Sequence, residues 1–129
     1  MEFAFTFDDE AGEVTIVLEG APSAEDVRAL VASLTADRRY RSGLAHLVDC
    51  SRLQPGSVSP EAIQEEVAPL IERDWNYPPR AVAIAAPDPR VFDRAMLARA
   101  HMGGGSTGNR RVFADLSEAR TWLRTQPPA

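Results

Sequence analysis

Phe3, Phe5 and Phe7 alternate with Glu2, Ala4 and Thr6, and this period of two predicts a half-buried strand over residues 2–8 with its aromatics on the core side. The polar stretch Asp8-Asp9-Glu10-Ala11-Gly12 follows, then a second alternation in which Val14, Ile16 and Leu18 interleave with Thr15, Val17 and Glu19. An antiparallel hairpin with a solvated acidic tip is the expected product. Beyond Gly20 the period lengthens: Val27, Leu30, Val31 and Leu34 fall at i, i+3, i+4 and i+7. They predict a helix with one apolar stripe, capped by Ser23 with Asp26 three residues on. Arg38, Arg39, Tyr40 and Arg41 are placed at its end, where positive charge suits the helix dipole.

Residues 44–48 are near-continuously apolar, with only His46 interrupting, as in a strand covered by helices on both faces. Asp49 ends the apolar run, at the expected carboxyl edge of the strand. Ser51, Pro55, Gly56 and Ser57 read as a loop, and Ser59-Pro60-Glu61 has the order of an N-cap, a first-turn proline and a first-turn acid. The helix that follows carries Ile63, Val67, Leu70 and Ile71 on its apolar side, and Glu61, Gln64, Glu65, Glu66 and Glu72 are assigned to a solvated face. Residues 74–80, with Pro78 and Pro79, read as a loop. Its Trp75 and Tyr77 either cap the core or line a pocket or partner surface.

AVAIAA at 81–86 predicts an interior strand, and Asp88-Pro89 repeats the cap-and-proline start. Val91, Ala95, Ala98 and Met102 give the next helix its buried side, widened by Phe92 and Met96. Gly103 and Gly108 enclose a segment with half the pattern of a phosphate-binding loop, but Asn109-Arg110 follows where that loop has Lys and Ser or Thr. It also runs from helix to strand, so it reads as a helix-ending turn. A last strand over 110–114 leads to Asp115 and Glu118, a second capping-box-like start, with Leu116, Ala119, Trp122 and Leu123 buried.

Composition narrows the function more than it identifies it. A chain of 129 residues is expected to be one domain spanning 1–129. Its formal charge of −5 disfavours nucleic acid as a partner. No secretory leader and no apolar stretch of the roughly 18 residues a membrane span needs is visible, so a cytoplasmic protein is expected. Cys50 is the only cysteine, and Asp49 beside it disfavours a thiolate. His101 and His46 have no obvious orienting partner. No nucleophile with a base, metal cluster or cofactor fingerprint emerges, so catalytic and metal residues are expected to be absent.

The stretches ADRRYRSGLAHLVDCSRL, AVAIAAPD and RVFADLSEARTWL together resemble the SpoIIAA-like branch of the STAS family, which includes anti-sigma factor antagonists and is related to STAS/SEC14-like proteins. The resemblance implies an α/β fold: a five-stranded mixed sheet, formed by an N-terminal antiparallel hairpin and successive β-α units, with four helices. In the antagonists a phosphorylatable serine opens the helix after the third strand. Ser59 falls at that place, Ser57 where the family has aspartate and Pro60 where it has glycine. A non-enzymatic regulatory or protein-interaction domain is thus expected, presenting the 51–59 loop and the following helix start to a partner, with Asp49, Ser51, Ser57 and Ser59 as the partner-binding or phosphorylation candidates. The alternative is a carrier of a small apolar ligand or lipid, lined by Trp75, Tyr77, Phe92 and Met96. A second copy of the chain is also a candidate partner.

Overall fold

The computed structural model describes residues 1–103 and 109–127. Strands β1 (Glu2–Asp8) and β2 (Glu13–Gly20) form the antiparallel hairpin, and four β-α units follow from β2 onward. They comprise α1 (Ala24–Ala36), β3 (Ala45–Leu53), α2 (Pro60–Asn76), β4 (Ala81–Ala85), α3 (Pro89–Met102), β5 (Arg110–Phe113) and α4 (Leu116–Arg124). The strands lie in the order β1-β2-β3-β4-β5, with every pair after the hairpin parallel. The five-stranded mixed sheet and four helices agree with the expected fold class.

Side-chain alternation along the strands divides the core in two. Val14, Ile16 and Leu18 of β2 pack with Leu30 and Leu34 of α1, and β1 adds its three phenylalanines at the margin. On the other face, Ala45 and Leu47 of β3 join Ala81, Ala83 and Ala85 of β4 under Ala119 and Leu123 of α4. The alanines of β4 leave room for α4 to lie close. Helices therefore cover both faces of β3, as its apolar run requires.

All four helices begin where the sequence places their caps. The side chains of Ser23, Ser59, Asp88 and Asp115 each accept a first-turn amide, satisfying donors that the helix itself leaves unpaired. Two element ends differ from expectation. Strand β3 continues past Asp49 to Leu53 because β2 still offers partners, Arg52 to Glu19 and Leu53 to Gly20, beyond a register shift. Helix α2 continues through Asp74, Trp75 and Asn76 and stops only at Tyr77, just before Pro78, where the residue preceding a proline is driven out of helical geometry. Arg38 to Arg41 lie beyond the end of α1: Tyr40 is buried, and Arg39 pairs with Asp37 and stacks on Phe7. Gly103 caps α3; the rest of the glycine-rich segment lies outside the described residues.

Candidate functional site

The loop at 54–59 joins the carboxyl end of β3 to the start of α2 and is held at several points. Gly56 takes a positive φ of 68°, and a Cβ there would stand 3.0 Å from Cδ of Pro22; both facts favour glycine. The Ser57 carbonyl accepts 2.8 Å from Nε of Arg94 on α3. The Ser57 hydroxyl accepts from the Ser59 amide at 3.2 Å and donates to the Ser59 hydroxyl at 3.3 Å. The Ser59 hydroxyl in turn accepts from the Ala62 amide at 3.2 Å. Between the two serines, Val58 is 62% exposed.

Asp49 and Ser51 form a separate pair. Asp49 lies within β3, and its carboxylate accepts from both the amide and the hydroxyl of Ser51. By alternation Asp49 shares the α4 face with Ala45 and Leu47, whereas Ser57 and Ser59 lead into α2, which packs against α1 and α3. Among the described residues no hydrogen bond joins the two pairs. The four candidates thus form two groups.

A polar cluster that the sequence reading did not anticipate is buried at the amino-terminal edge of the parallel strands. Val14, His46, Val82 and Arg110 are in register across β2 to β5, so His46 and Arg110 occupy one sheet face with β4 between them. From above, α2 contributes Arg73 and Asp74. The Asp74 carboxylate, fully buried, pairs at 3.0 Å with Arg73 and at 3.0 Å with Arg110. The Tyr40 hydroxyl stands 3.3 Å from Nε2 of His46. Arg73 and Asp74 continue the helical spacing of Ile63, Val67 and Leu70, the signal that could have revealed them as inward-facing. Glu66 belongs to the same stripe. It is buried and bonded to Arg94, which corrects its assignment to the solvated face.

Burial, reinforced by the Arg73 and Arg110 charges, holds the His46 imidazole well below the usual range and keeps it neutral. The unfolded chain binds a proton at this site from about pH 6.5 downward, while the folded chain does not. Stability is therefore full above that value and falls as the pH drops, by at most about 1.4 kcal/mol per unit from this group. Urea melts at pH 7 and 5.5 should show this loss in the wild type, with a smaller loss in His46→Phe; equal losses would contradict a neutral buried imidazole.

Beside the cluster, between the sheet and helices α1 to α3, is a cavity of about 150 Å³. Ile16, Leu30, Val48, Val67 and Ile84 contribute to its wall. This volume is below the roughly 300–1,000 Å³ of sites for drug-sized ligands and close to that of a cavity that holds benzene. Trp75, Tyr77, Phe92 and Met96 are not in this wall. Trp75 and Met96 are exposed, Tyr77 is exposed with its ring edge toward Tyr40, and Phe92 packs partly buried against the core.

Other chemistry is sparse. Cys50 is buried, and burial with the neighbouring Asp49 charge pushes its thiol up to about 12, away from the thiolate a nucleophile needs. Among the described residues no group of His, Cys, Asp or Glu could hold a metal ion, and no helix is long and apolar enough to cross a membrane.

No family model and no curated protein matches the chain. A solved structure of similar architecture is an uncharacterised protein of the DUF3478 family, with a SpoIIAA-like fold, from Shewanella loihica PV-4. The two chains are 17% identical and superpose with a TM-score of 0.60, over 95% of this chain and 92% of the other. At that identity the likeness concerns architecture alone, and with the strand order and helix placement it establishes that this chain has a SpoIIAA-like α/β fold.

Proposed function

We propose that this chain is a non-enzymatic regulatory domain that binds another protein through the 54–59 loop and the start of α2. The observation that carries the reading is Val58, an aliphatic side chain left 62% exposed on a backbone fixed by Pro22 and Arg94. A loop already ordered in the free protein loses little conformational entropy on docking. Ser59 is the natural switch in this reading. Phosphorylation would add about two negative charges beside the amides of the first turn of α2. A reducing, cytoplasmic setting belongs to the same reading and suits a single thiol kept buried.

Asp caps helices as well as Ser does, so Ser59→Asp separates charge from structure. Its stability should stay within about 0.5 kcal/mol of wild type, while Ser59→Ala loses about 1 kcal/mol. Proteins retained from the native cell by wild-type and Ser59→Asp baits, followed by titration of the retained partner, test the switch. Ser59→Asp should shift the affinity about tenfold, as expected for a charge placed at a contact surface. Unchanged affinity would remove the switch.

A further inference from the structure

We propose that the cavity beneath α1 to α3 binds a small amphiphilic monocarboxylate, its hydrocarbon part against Val48, Val67 and Ile84 and its carboxylate at Arg73 and Arg99. The ligand contacts proposed here lie away from the 54–59 loop, although Arg94 both lines the cavity and holds the Ser57 carbonyl.

Positive charge outweighs negative around this apolar space. Arg73, Arg94, Arg99 and Arg110 all line the cavity, and Glu66 is the only carboxylate that does so. Glu66 is committed to Arg94. Outside the wall, Asp74 serves both Arg73 and Arg110. Arg99 donates its Nε to the Arg110 carbonyl at 3.0 Å and has no carboxylate partner among the described residues. The Arg73 side chain is only 4% exposed, yet its Nε has no hydrogen-bond acceptor. A buried donor without an acceptor is costly, and Arg99, exposed but part of the wall, carries a positive charge that no carboxylate of the described residues balances.

The cations gather at one end. Arg73 lies in the last turn of α2, Arg99 in the last turn of α3, and Arg110 opens β5. The two helix ends supply about half a negative charge each, which offsets the excess of the three buried arginines over Glu66 and Asp74 and leaves the charge of the exposed Arg99. A single carboxylate would accept the free donor and neutralise the remainder, since planar guanidinium groups match its geometry. The cavity, about 150 Å³, limits the attached hydrocarbon to roughly the size of a benzene ring.

Benzoate, benzyl alcohol and inorganic phosphate separate the elements of this proposal. Calorimetric titration of the whole chain should show benzoate binding about tenfold more tightly than benzyl alcohol, the factor expected of one charge-assisted hydrogen bond. Phosphate should bind more weakly than benzoate, because it has nothing to place against the apolar wall. Arg99 is exposed, so Arg99→Gln should fold normally and bring benzoate about tenfold down, toward the alcohol. Ala95→Leu, which fills part of the wall, should weaken benzoate and benzyl alcohol alike. No benzoate binding, equal affinity for benzoate and the alcohol, phosphate binding as tightly as benzoate, or undiminished benzoate binding in Arg99→Gln would each overturn the proposal.

Discussion

Asp74→Ala is expected to lower the free energy of unfolding by about 3–5 kcal/mol, a large part of the roughly 5–15 kcal/mol that holds a domain of this size together. The carboxylate has no solvent exposure and meets two guanidiniums at 3.0 Å each. Removing it leaves Arg73 and Arg110, which are only 5% and 9% exposed, as buried like charges beside the neutral His46. Asp74→Asn keeps an acceptor while losing the charge, and should fall between Ala and wild type. Urea-induced unfolding followed by circular dichroism gives the ordering directly. A loss under about 1 kcal/mol for Asp74→Ala would show that the two arginines find other partners.

Glu66→Ala is expected to cost about 3 kcal/mol, because it strands the Arg94 guanidinium in a buried setting. Its neighbour Glu65 is exposed, and Glu65→Ala should stay within about 0.5 kcal/mol of wild type. The contrast between adjacent glutamates tests the orientation of α2. Glu66 also matters for the docking loop, since Arg94 is the residue that holds the Ser57 carbonyl. Faster amide exchange at Val58 and Ser59 should therefore accompany the loss of stability, and unchanged exchange there would mean that Arg94 keeps its hold without its counter-ion.

These two sites mark the boundary of what the sequence could reveal. The phenylalanine alternation of β1, the i, i+3, i+4 stripe of α1 and the four caps report local geometry, and each lies within one element. They suffice for the succession of elements and a mostly parallel sheet, because successive β-α units join parallel strands through right-handed crossovers; the strand order itself is seen only in the folded sheet. Asp74 was hidden for a different reason. Its partners Arg73 and Arg110 are 1 and 36 residues away, and only the folded sheet brings the second within reach. Glu66 misled because a glutamate among glutamates resembles a solvated face; its spacing from Ile63 and Leu70 carried the contrary signal. The end of β3 was obscured because the polar residues Asp49, Ser51 and Arg52 look like a loop, although β2 still pairs with Asp49, Arg52 and Leu53. The 54–59 loop was legible as a loop, through Pro55-Gly56 and Ser59-Pro60, but its division from the Asp49–Ser51 pair depends on the strand's alternation between faces.

The loop's role as a docking surface is tested most directly by comparing retention on wild-type and Val58→Asp baits from the cells in which the chain occurs. Val58 makes no core contact that Asp would disrupt, being 62% exposed, so both baits should unfold at the same urea concentration. A protein retained by the wild type should be reduced about tenfold or more on Val58→Asp, since a charge forced into a dry contact is expensive. Equal retention on the two baits would contradict it.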